Sequence, residues 1–415
     1  MTYVETLGLN AKNAGSQMGA ASPMIKNNAL KAIADALIAG TGDIIEANKL
    51  DLENAVKNGM SQSMQDRLRL DEGRIEGIAK SVLQLVEAQD PIGSVDYGTV
   101  RPNGIKVCKT RVPLGVIGII FESRPNVTVD AATLCLKAGN TVILKGGKEA
   151  INSNKKLTEI MRAAIKSVGL PEDAVQLIED TTRESTNELM KLSQYLDVLI
   201  PRGGAGLIKA VVENAKVPVI ETGTGNCHVF VDSSADIEMA ANIVDNGKTQ
   251  RPSVCNAVES LLVHKDIAQK ALPVIKERLD KHNVEIRGCE RTAAILGDCV
   301  VPATEQDYAT EFLDYIISVK VVDSADEAIE HIRKYSTGHS ECIVTQSLIN
   351  AEKFQREVDS AAVYVNASTR FTDGGEFGFG AEIGISTQKL HARGPMGLNE
   401  LTTVKYLING NGQIR

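Results

Sequence analysis

No apolar run in this chain approaches the roughly 18 to 20 residues that a membrane-spanning helix requires, so an integral helical membrane protein is not expected. No block of Lys and Arg is long, and 53 acidic residues outnumber 45 basic ones for a net charge of −8. The chain therefore lacks the electrostatic footprint of a DNA- or RNA-binding protein, and any anionic ligand has to be held by local groups. The opening Met1-Thr2-Tyr3-Val4-Glu5 has neither the basic nor the apolar region of a signal peptide, which sets a cytoplasmic expectation. The seven cysteines (Cys108, Cys135, Cys227, Cys255, Cys289, Cys299, Cys342) are odd in number, scattered and without a CxxC pair. Neither a disulfide framework nor a metal site is indicated. No internal repeat or low-complexity tract occurs, and no GxGxxG opens a helix after a strand, which disfavours the ordinary Rossmann mode of dinucleotide binding.

What is present is an ordinary globular composition, 43% hydrophobic and 24% charged over 415 residues, long enough for two or three domains. The first ninety or so residues read as helices. Ser22 is placed as a cap with Pro23 at the first helical position, and Leu30, Ile33 and Leu37 fall on one face. From about residue 98 short apolar runs alternate with amphipathic segments, at 116–120, 141–144, 175–178, 198–200 and 217–220. A second set follows, with strands at 260–263, 316–319, 342–344 and 362–365 and helices at 266–281 and 325–334. Strands alternating with helices predict parallel sheets. Residues 402–408 form a β-prone run that follows the Gly-rich segment 377–397, and an exposed strand there is suited to pairing with another subunit.

Four segments carry chemistry. In Gln250-Arg251-Pro252-Ser253-Val254-Cys255-Asn256-Ala257 the polar flanks suit a site loop better than a core. Lys248 and Arg251 lie just upstream, where positive charge raises the thiolate fraction of Cys255. A thiolate is the protein nucleophile best suited to hold an acyl group while hydride is delivered. Residues 113–128 run from a strand into a polar turn, where Asn126 offers an amide to an oxygen that turns negative, or else Pro125-Asn126 merely caps a helix. In Ala138-Gly139-Asn140-Thr141-Val142-Ile143-Leu144-Lys145-Gly146-Gly147-Lys148 a strand ends in lysine and glycines before a helix, a place for an adenosine ribose or its phosphate, or a plain turn with solvated lysines. In Glu221-Thr222-Gly223-Thr224-Gly225-Asn226-Cys227-His228 a carboxylate stands before a glycine-bearing turn; Glu221 reads as a base or as a local cap, and Thr222, Gly223 and Gly225 suit close approach of a nicotinamide ring.

In this order the four segments resemble the aldehyde dehydrogenase superfamily over nearly the whole chain. Phe121-Glu122-Ser123-Arg124-Pro125-Asn126-Val127, Ile200-Pro201-Arg202-Gly203-Gly204, residues 221–228 and His391-Ala392-Arg393-Gly394-Pro395-Met396-Gly397 are similar to the γ-glutamyl phosphate reductase branch. The resemblance implies that Cys255 attacks L-glutamate 5-phosphate, that phosphate leaves, and that NADPH reduces the thioester to L-glutamate 5-semialdehyde on the route to proline. It implies Asn126 and the Cys255 N–H as the oxyanion hole and Lys145 at the adenine ribose. Gly147, Lys148, Glu221 and Gly223 join the expected cofactor site, with Glu311 at the nicotinamide ribose. The turn Lys145-Gly146-Gly147-Lys148 departs from the Lys-Pro-Ser type turn of hydrolytic members. Glu221 keeps the position of their base, yet activating water against its own thioester would gain a reductase nothing.

The expected substrate is doubly anionic at one end and zwitterionic at the other. Arg124, Arg202, Lys248, Arg251, His391 and Arg393 are the candidates for its phosphate and α-carboxylate, with a salt bridge as the alternative role of each. A CoA-acylating aldehyde dehydrogenase is the second enzymatic reading, and the basic residues near Cys255 favour phosphate. A non-catalytic scaffold is the reading from another class, against which the joint presence of Cys255, Asn126 and Lys145 argues. The fold implied has two α/β domains, a cofactor domain over 1–228 with flap strands near 99–112 and a catalytic domain over 229–372. A return segment over 373–415 adds an oligomerisation strand. A homodimer or homotetramer is expected, and an association with glutamate 5-kinase is compatible with a labile substrate.

Overall fold

The computed structural model describes residues 1–415, the side chain of Ser63 excepted. The chain forms two compact units, one of residues 1–222, 378–384 and 396–415, the other of residues 223–377 and 385–395.

The first unit begins with five helices, Tyr3–Ala20, Pro23–Ala39, Thr41–Lys57, Gln62–Leu68 and Glu72–Glu87. Ser22 caps the second of them from the hydroxyl to the Ile25 N–H, with Pro23 at its start, and Leu30, Ile33 and Leu37 are buried along one face. These are the residues that the sequence placed there. Strands β1 (Val95–Val100) and β2 (Lys106–Pro113) precede a parallel sheet of β3 (Val116–Phe121), β4 (Thr141–Lys145), β5 (Val175–Leu177) and β6 (Val198–Arg202), in the order β5-β4-β3-β6. Strands β3 and β4 are buried along their whole length. The helix Asn126–Lys137 between them is buried on most of its surface, so its apolar residues do not follow a simple one-face pattern.

One predicted strand does not form. Residues 217–220 make a single bridge, Val219 to Leu199, in which the Leu199 N–H donates to the Pro218 carbonyl and the Ile220 N–H to the Leu199 carbonyl. Pro218 has no N–H to extend the ladder.

The second unit is built on a seven-stranded parallel sheet. Its strands are β7 (Cys227–Val231), β8 (Val258–His264), β9 (Glu285–Gly288), β10 (Val301–Pro302), β11 (Ile316–Val322), β12 (Ser340–Val344) and β13 (Ala362–Val365). They lie in the order β10-β9-β11-β8-β7-β12-β13. Strands β7, β9 and β10 were not foreseen; β9 and β10 lie at one edge, and β10 has two residues, too short to leave a pattern. Val229, Val231, Leu261, Val263, Ile317 and Val319 pack with Ala241, Val244 and Ile275 from helices Ile237–Thr249 and Lys265–Asp280.

The break between the units falls after Thr222 and not at 228, because 227–231 is the strand β7 well inside the second sheet. The segment 373–415 is divided as well. Its residues 385–395, which carry β14 (Ile385–Ser386) paired with β15 (Gly394–Pro395), belong to the second unit, and 378–384 and 396–415 to the first. Strand β16 (Thr402–Asn409) adds to β2 through eight antiparallel pairs, giving a three-stranded sheet in the order β1-β2-β16. The third strand supplies what two alone would lack for stability. Among the described residues no helix is long and apolar enough to cross a membrane, and no group of three or more His, Cys, Asp or Glu side chains is arranged to hold a metal ion.

Candidate active site

In the first unit the predicted site residues gather where the parallel strands end. Beyond β3 lie Glu122, Ser123 and Arg124, beyond β4 the turn 146–148, and beyond β5 the residues 181–183 that open the helix Arg183–Lys191. A cavity of about 550 Å³ is lined here by Phe121, Lys145, Gly147, Lys148, Thr182 and Arg183 among others. The buried Lys145 donates from Nζ to the Asp180 carbonyl at 2.8 Å, and burial lowers its pKa against the pull of Asp180 and Glu149. A Cβ at Gly147 would stand 2.2 Å from the Glu149 carboxylate, so a side chain there would displace that carboxylate. That carboxylate accepts from the Ser123 N–H at 2.8 Å and from the Ser123 hydroxyl. Lys148 is exposed.

Asn126 opens the helix Asn126–Lys137, and its Nδ2 donates to Asp130 Oδ2 at 2.9 Å. Removal from water pushes the Asp130 carboxyl up to about 6, against the lowering effects of the Asn126 hydrogen bond and the Arg202 charge. Arg124 and Arg202 are half-buried. The Arg202 guanidinium fills the space beside Gly384, where a Cβ would stand 2.4 Å from its Nη1. Glu221 is half-buried in the same unit.

In the second unit the site is assembled where parallel strands begin. Cys255 is half-buried in the turn between helix Ile237–Thr249 and β8. Its carbonyl oxygen lies where a Cβ on Gly225 would be, 1.4 Å from that ideal position, so no other residue fits at 225 without moving the cysteine loop. The same carbonyl accepts from the buried Cys227 thiol at 3.2 Å. Burial, with the surrounding acidic groups second, drives the Cys227 pKa well up and keeps it a thiol. The Gly225 N–H donates to Glu311 at 2.7 Å, and burial raises the Glu311 pKa. Asn226 fixes the next step of the turn by donating from Nδ2 to the carbonyls of Tyr308 and Tyr335, both at 2.8 Å. The Gly223 N–H donates to the Ile385 carbonyl at 2.8 Å, and a side chain there would strike Thr387.

The basic candidates of this unit separate into different roles. Lys248 does not face the solvent side of its helix: it is fully buried and pairs with the equally buried Glu259 at 2.6 Å. Burial pushes Lys248 down and Glu259 up to about 7, so both lean toward neutrality. Its spacing from Cys255 suggested an activating charge, but sequence spacing did not show which way the last helical turn faces. Arg393 forms the salt bridge that was its alternative role, to Asp359 at 2.9 Å. His391 is exposed, with a positive φ of 69°. Arg251 is exposed beside the cysteine turn.

A further arginine, absent from the sequence reading, stands beside that turn. Arg370 hydrogen-bonds the side chains of Gln250 and Asn256, the latter adjacent to Cys255. The signal that could have found it is the polar stretch Asn366-Ala367-Ser368-Thr369-Arg370 directly after a strand. Also unforeseen is a buried polar string, Cys227, His339, Ser340, Thr372 and Tyr364, linked by contacts of 2.7 to 3.7 Å.

The aldehyde dehydrogenase family model matches residues 4–297. The chain belongs to that family. Gamma-glutamyl phosphate reductase of Clostridium novyi is 62% identical over 412 residues, 99% of this chain and 98% of that one. The enzyme of that name from Heliobacterium modesticaldum is 60% identical over 408 residues, 98% of each chain. Among solved structures, gamma-glutamyl phosphate reductase of Thermotoga maritima superposes with a TM-score of 0.97 at 52% identity, covering 100% of both chains. An acetylating aldehyde dehydrogenase of Geobacillus thermoglucosidasius shares the family fold at 18% identity, with a TM-score of 0.72 and coverage of 99% and 97%. The expected fold class, two α/β units on parallel sheets, is that of the family.

Proposed function

We propose that the protein reduces L-glutamate 5-phosphate to L-glutamate 5-semialdehyde and inorganic phosphate, with NADPH as reductant, as a step toward proline. The observation that carries this reading is the cysteine turn, in which Cys255 is half-buried, locked by its carbonyl against Gly225 and flanked by Arg251 and Arg370. The Cys255 thiolate attacks the acyl carbon, a C–S bond forms, and the C–O bond to phosphate breaks with its electron pair leaving on the phosphate oxygen. NADPH supplies the hydride that reduces the thioester. Cleavage of the C–S bond then returns the thiolate and frees the aldehyde.

The carboxyl edge of the first sheet fits the adenosine end of such a cofactor. Its cavity of about 550 Å³ is floored by glycines where a Cβ would collide, and Lys145, Lys148 and Arg183 line it. Lys148 and Arg183, both exposed, suit a 2′-phosphate, which supports NADPH over NADH. Lys145 is assigned to the ribose, Glu311 to the nicotinamide ribose, and Gly223 to the approach of the nicotinamide ring.

Asn126 is assigned the oxyanion amide. One of its two Nδ2 hydrogens is held by Asp130, which orients the group and leaves the other to donate. Glu221 is assigned no water-activating role. Arg124, Arg202, Arg251 and His391 remain the candidates for the substrate's charged ends, and Lys248, buried against Glu259, is not among them. The outer edge of β16 supports a homodimer or homotetramer.

The test is the reverse reaction, followed by NADPH formation from the semialdehyde and NADP⁺ with and without inorganic phosphate. Strict phosphate dependence, lost in Cys255→Ala while NADP⁺ binding persists, is the expected result. Turnover without phosphate, or turnover dependent on CoA instead, would overturn the reading.

A further inference from the structure

Arg370 is tied to the nucleophile's own turn from both its backbone and its side chain. It lies in the short turn Thr369–Phe371 after β13, where the Thr369 hydroxyl donates to the Asn256 carbonyl at 2.7 Å. Asn256 Nδ2 donates in return to the Arg370 and Thr372 carbonyls at 3.3 and 2.9 Å. The guanidinium is thereby fixed beside residue 256, its Nε donating to Gln250 Oε1 at 3.1 Å and its Nη1 to Asn256 Oδ1.

Both of those acceptors are neutral amide oxygens. Arg162, Arg287 and Arg291 meet aspartates at 2.6 to 3.0 Å, but Arg370 is half-buried and makes no ion pair within 4 Å among the described residues. Asp373 acts on it only at longer range and accepts from the N–H groups of Gly375 and Glu376. Burial lowers the Arg370 pKa first, Arg251 lowers it further, and the charge of Cys255 works the other way. A fixed cation, part-desolvated, repelled by a second cation and held by neutral groups, is incompletely compensated. Such a guanidinium is suited to an anion that arrives with the substrate.

We propose that Arg370, with Arg251 beside it, binds the phosphate of the acyl phosphate and receives it as the leaving group at Cys255. The inference rests on the acyl-phosphate reading above. When the C–S bond forms and the C–O bond breaks, the departing phosphate oxygen gains negative charge. A guanidinium fork already part-desolvated and oriented by Gln250 and Asn256 stabilises that charge with little reorganisation. In the reverse direction the same fork presents phosphate to the thioester.

The experiment compares wild type, Arg370→Gln and Arg370→Lys in the reverse direction, with the initial burst of NADPH without phosphate and the phosphate-dependent turnover read separately. The expected result for Arg370→Gln is a KM for phosphate raised about 10- to 100-fold, the loss of one charged hydrogen-bonding partner, with a near-normal burst. Arg370→Lys should show a smaller rise. An unchanged KM for phosphate in both variants would overturn the proposal. So would a burst that falls as far as turnover, because Arg370 would then act on the thiol and not on phosphate. Should Arg370→Gln fail to fold, Arg370→Lys decides alone: phosphate should protect Cys255 from iodoacetamide in wild type and protect it less in the variant, and equal protection refutes the role. A wild type that turns over without phosphate would fail the underlying reading instead, a result distinct from all of these.

Discussion

The two parallel sheets use opposite edges. In the first unit the expected site residues lie at the ends of the strands: Lys145, expected at the cofactor, ends β4 and Arg202, a substrate candidate, ends β6, and helices begin just beyond. In the second unit the residues of the site precede the strands, with Gly225 just before β7, the nucleophile Cys255 before β8, Glu311 before β11 and the unforeseen His339 before β12. The difference has an electrostatic consequence. Where strands end and helices begin, backbone N–H groups give a positive field that suits an anionic cofactor. Cys255 instead follows the carboxyl end of helix Ile237–Thr249, whose dipole opposes a thiolate. The second edge has to import positive charge on side chains, and Arg251 and Arg370 are placed there.

The contrast can be broken most forcefully from inside the second unit. Lys248→Met leaves Glu259 buried without its counter-ion, with only the Leu313 N–H still donating to it, and should cost about 3 to 5 kcal/mol of stability by denaturant unfolding, whereas the double variant with Glu259→Leu should regain most of it. Gly225→Ala places a methyl group on the Cys255 carbonyl. The expected outcome is a fall in kcat of about 10²- to 10³-fold from a misplaced nucleophile, with affinity for the cofactor's adenosine end alone, measured by calorimetry with 2′-phospho-ADP-ribose and assigned to the other sheet, unchanged.

A pH experiment sharpens the same point. Burial lowers His339 to about 4 from the ordinary histidine value near 6.5. The unfolded chain therefore binds a proton that the folded one refuses between those values, and stability falls as pH drops through that window. His339→Asn should remove up to about 1.4 kcal/mol per pH unit of that slope, read as a flatter Tm against pH from 6.5 to 4. At the first edge, Lys148→Glu should raise the KM for NADPH about tenfold and spare NADH, and an equal change for both would remove the 2′-phosphate from that place.

Much of this was legible in the sequence because it is local. The Ser22-Pro23 helix start, the buried strands 116–120 and 141–144, and the segment around Cys255 each advertise themselves within a few residues. The order of those segments was enough to suggest the family. What stayed hidden depends on distant parts of the chain meeting. Arg370 reaches Asn256 across 114 residues. Lys248 looked like a charge for the thiol until Glu259 was seen to take it. Gly225 read as room for a nicotinamide ring, and the structure adds a second constraint, the Cys255 carbonyl pressed against its Cα. Residues 217–220 have strand composition, and one proline is enough to stop the ladder after a single bridge.

The closing of β2 by β16 bears on synthesis at the ribosome. Residues 402–409 pair with 106–113, and the Leu401 carbonyl accepts from the side chain of Asn140, so the unit begun first is completed last. Until those final residues emerge, one flank of β2 is an open edge able to recruit a stray strand. A nascent chain stalled near residue 400 would thus carry a nearly whole second sheet beside an unfinished first unit, and its hazard would be aggregation through β2.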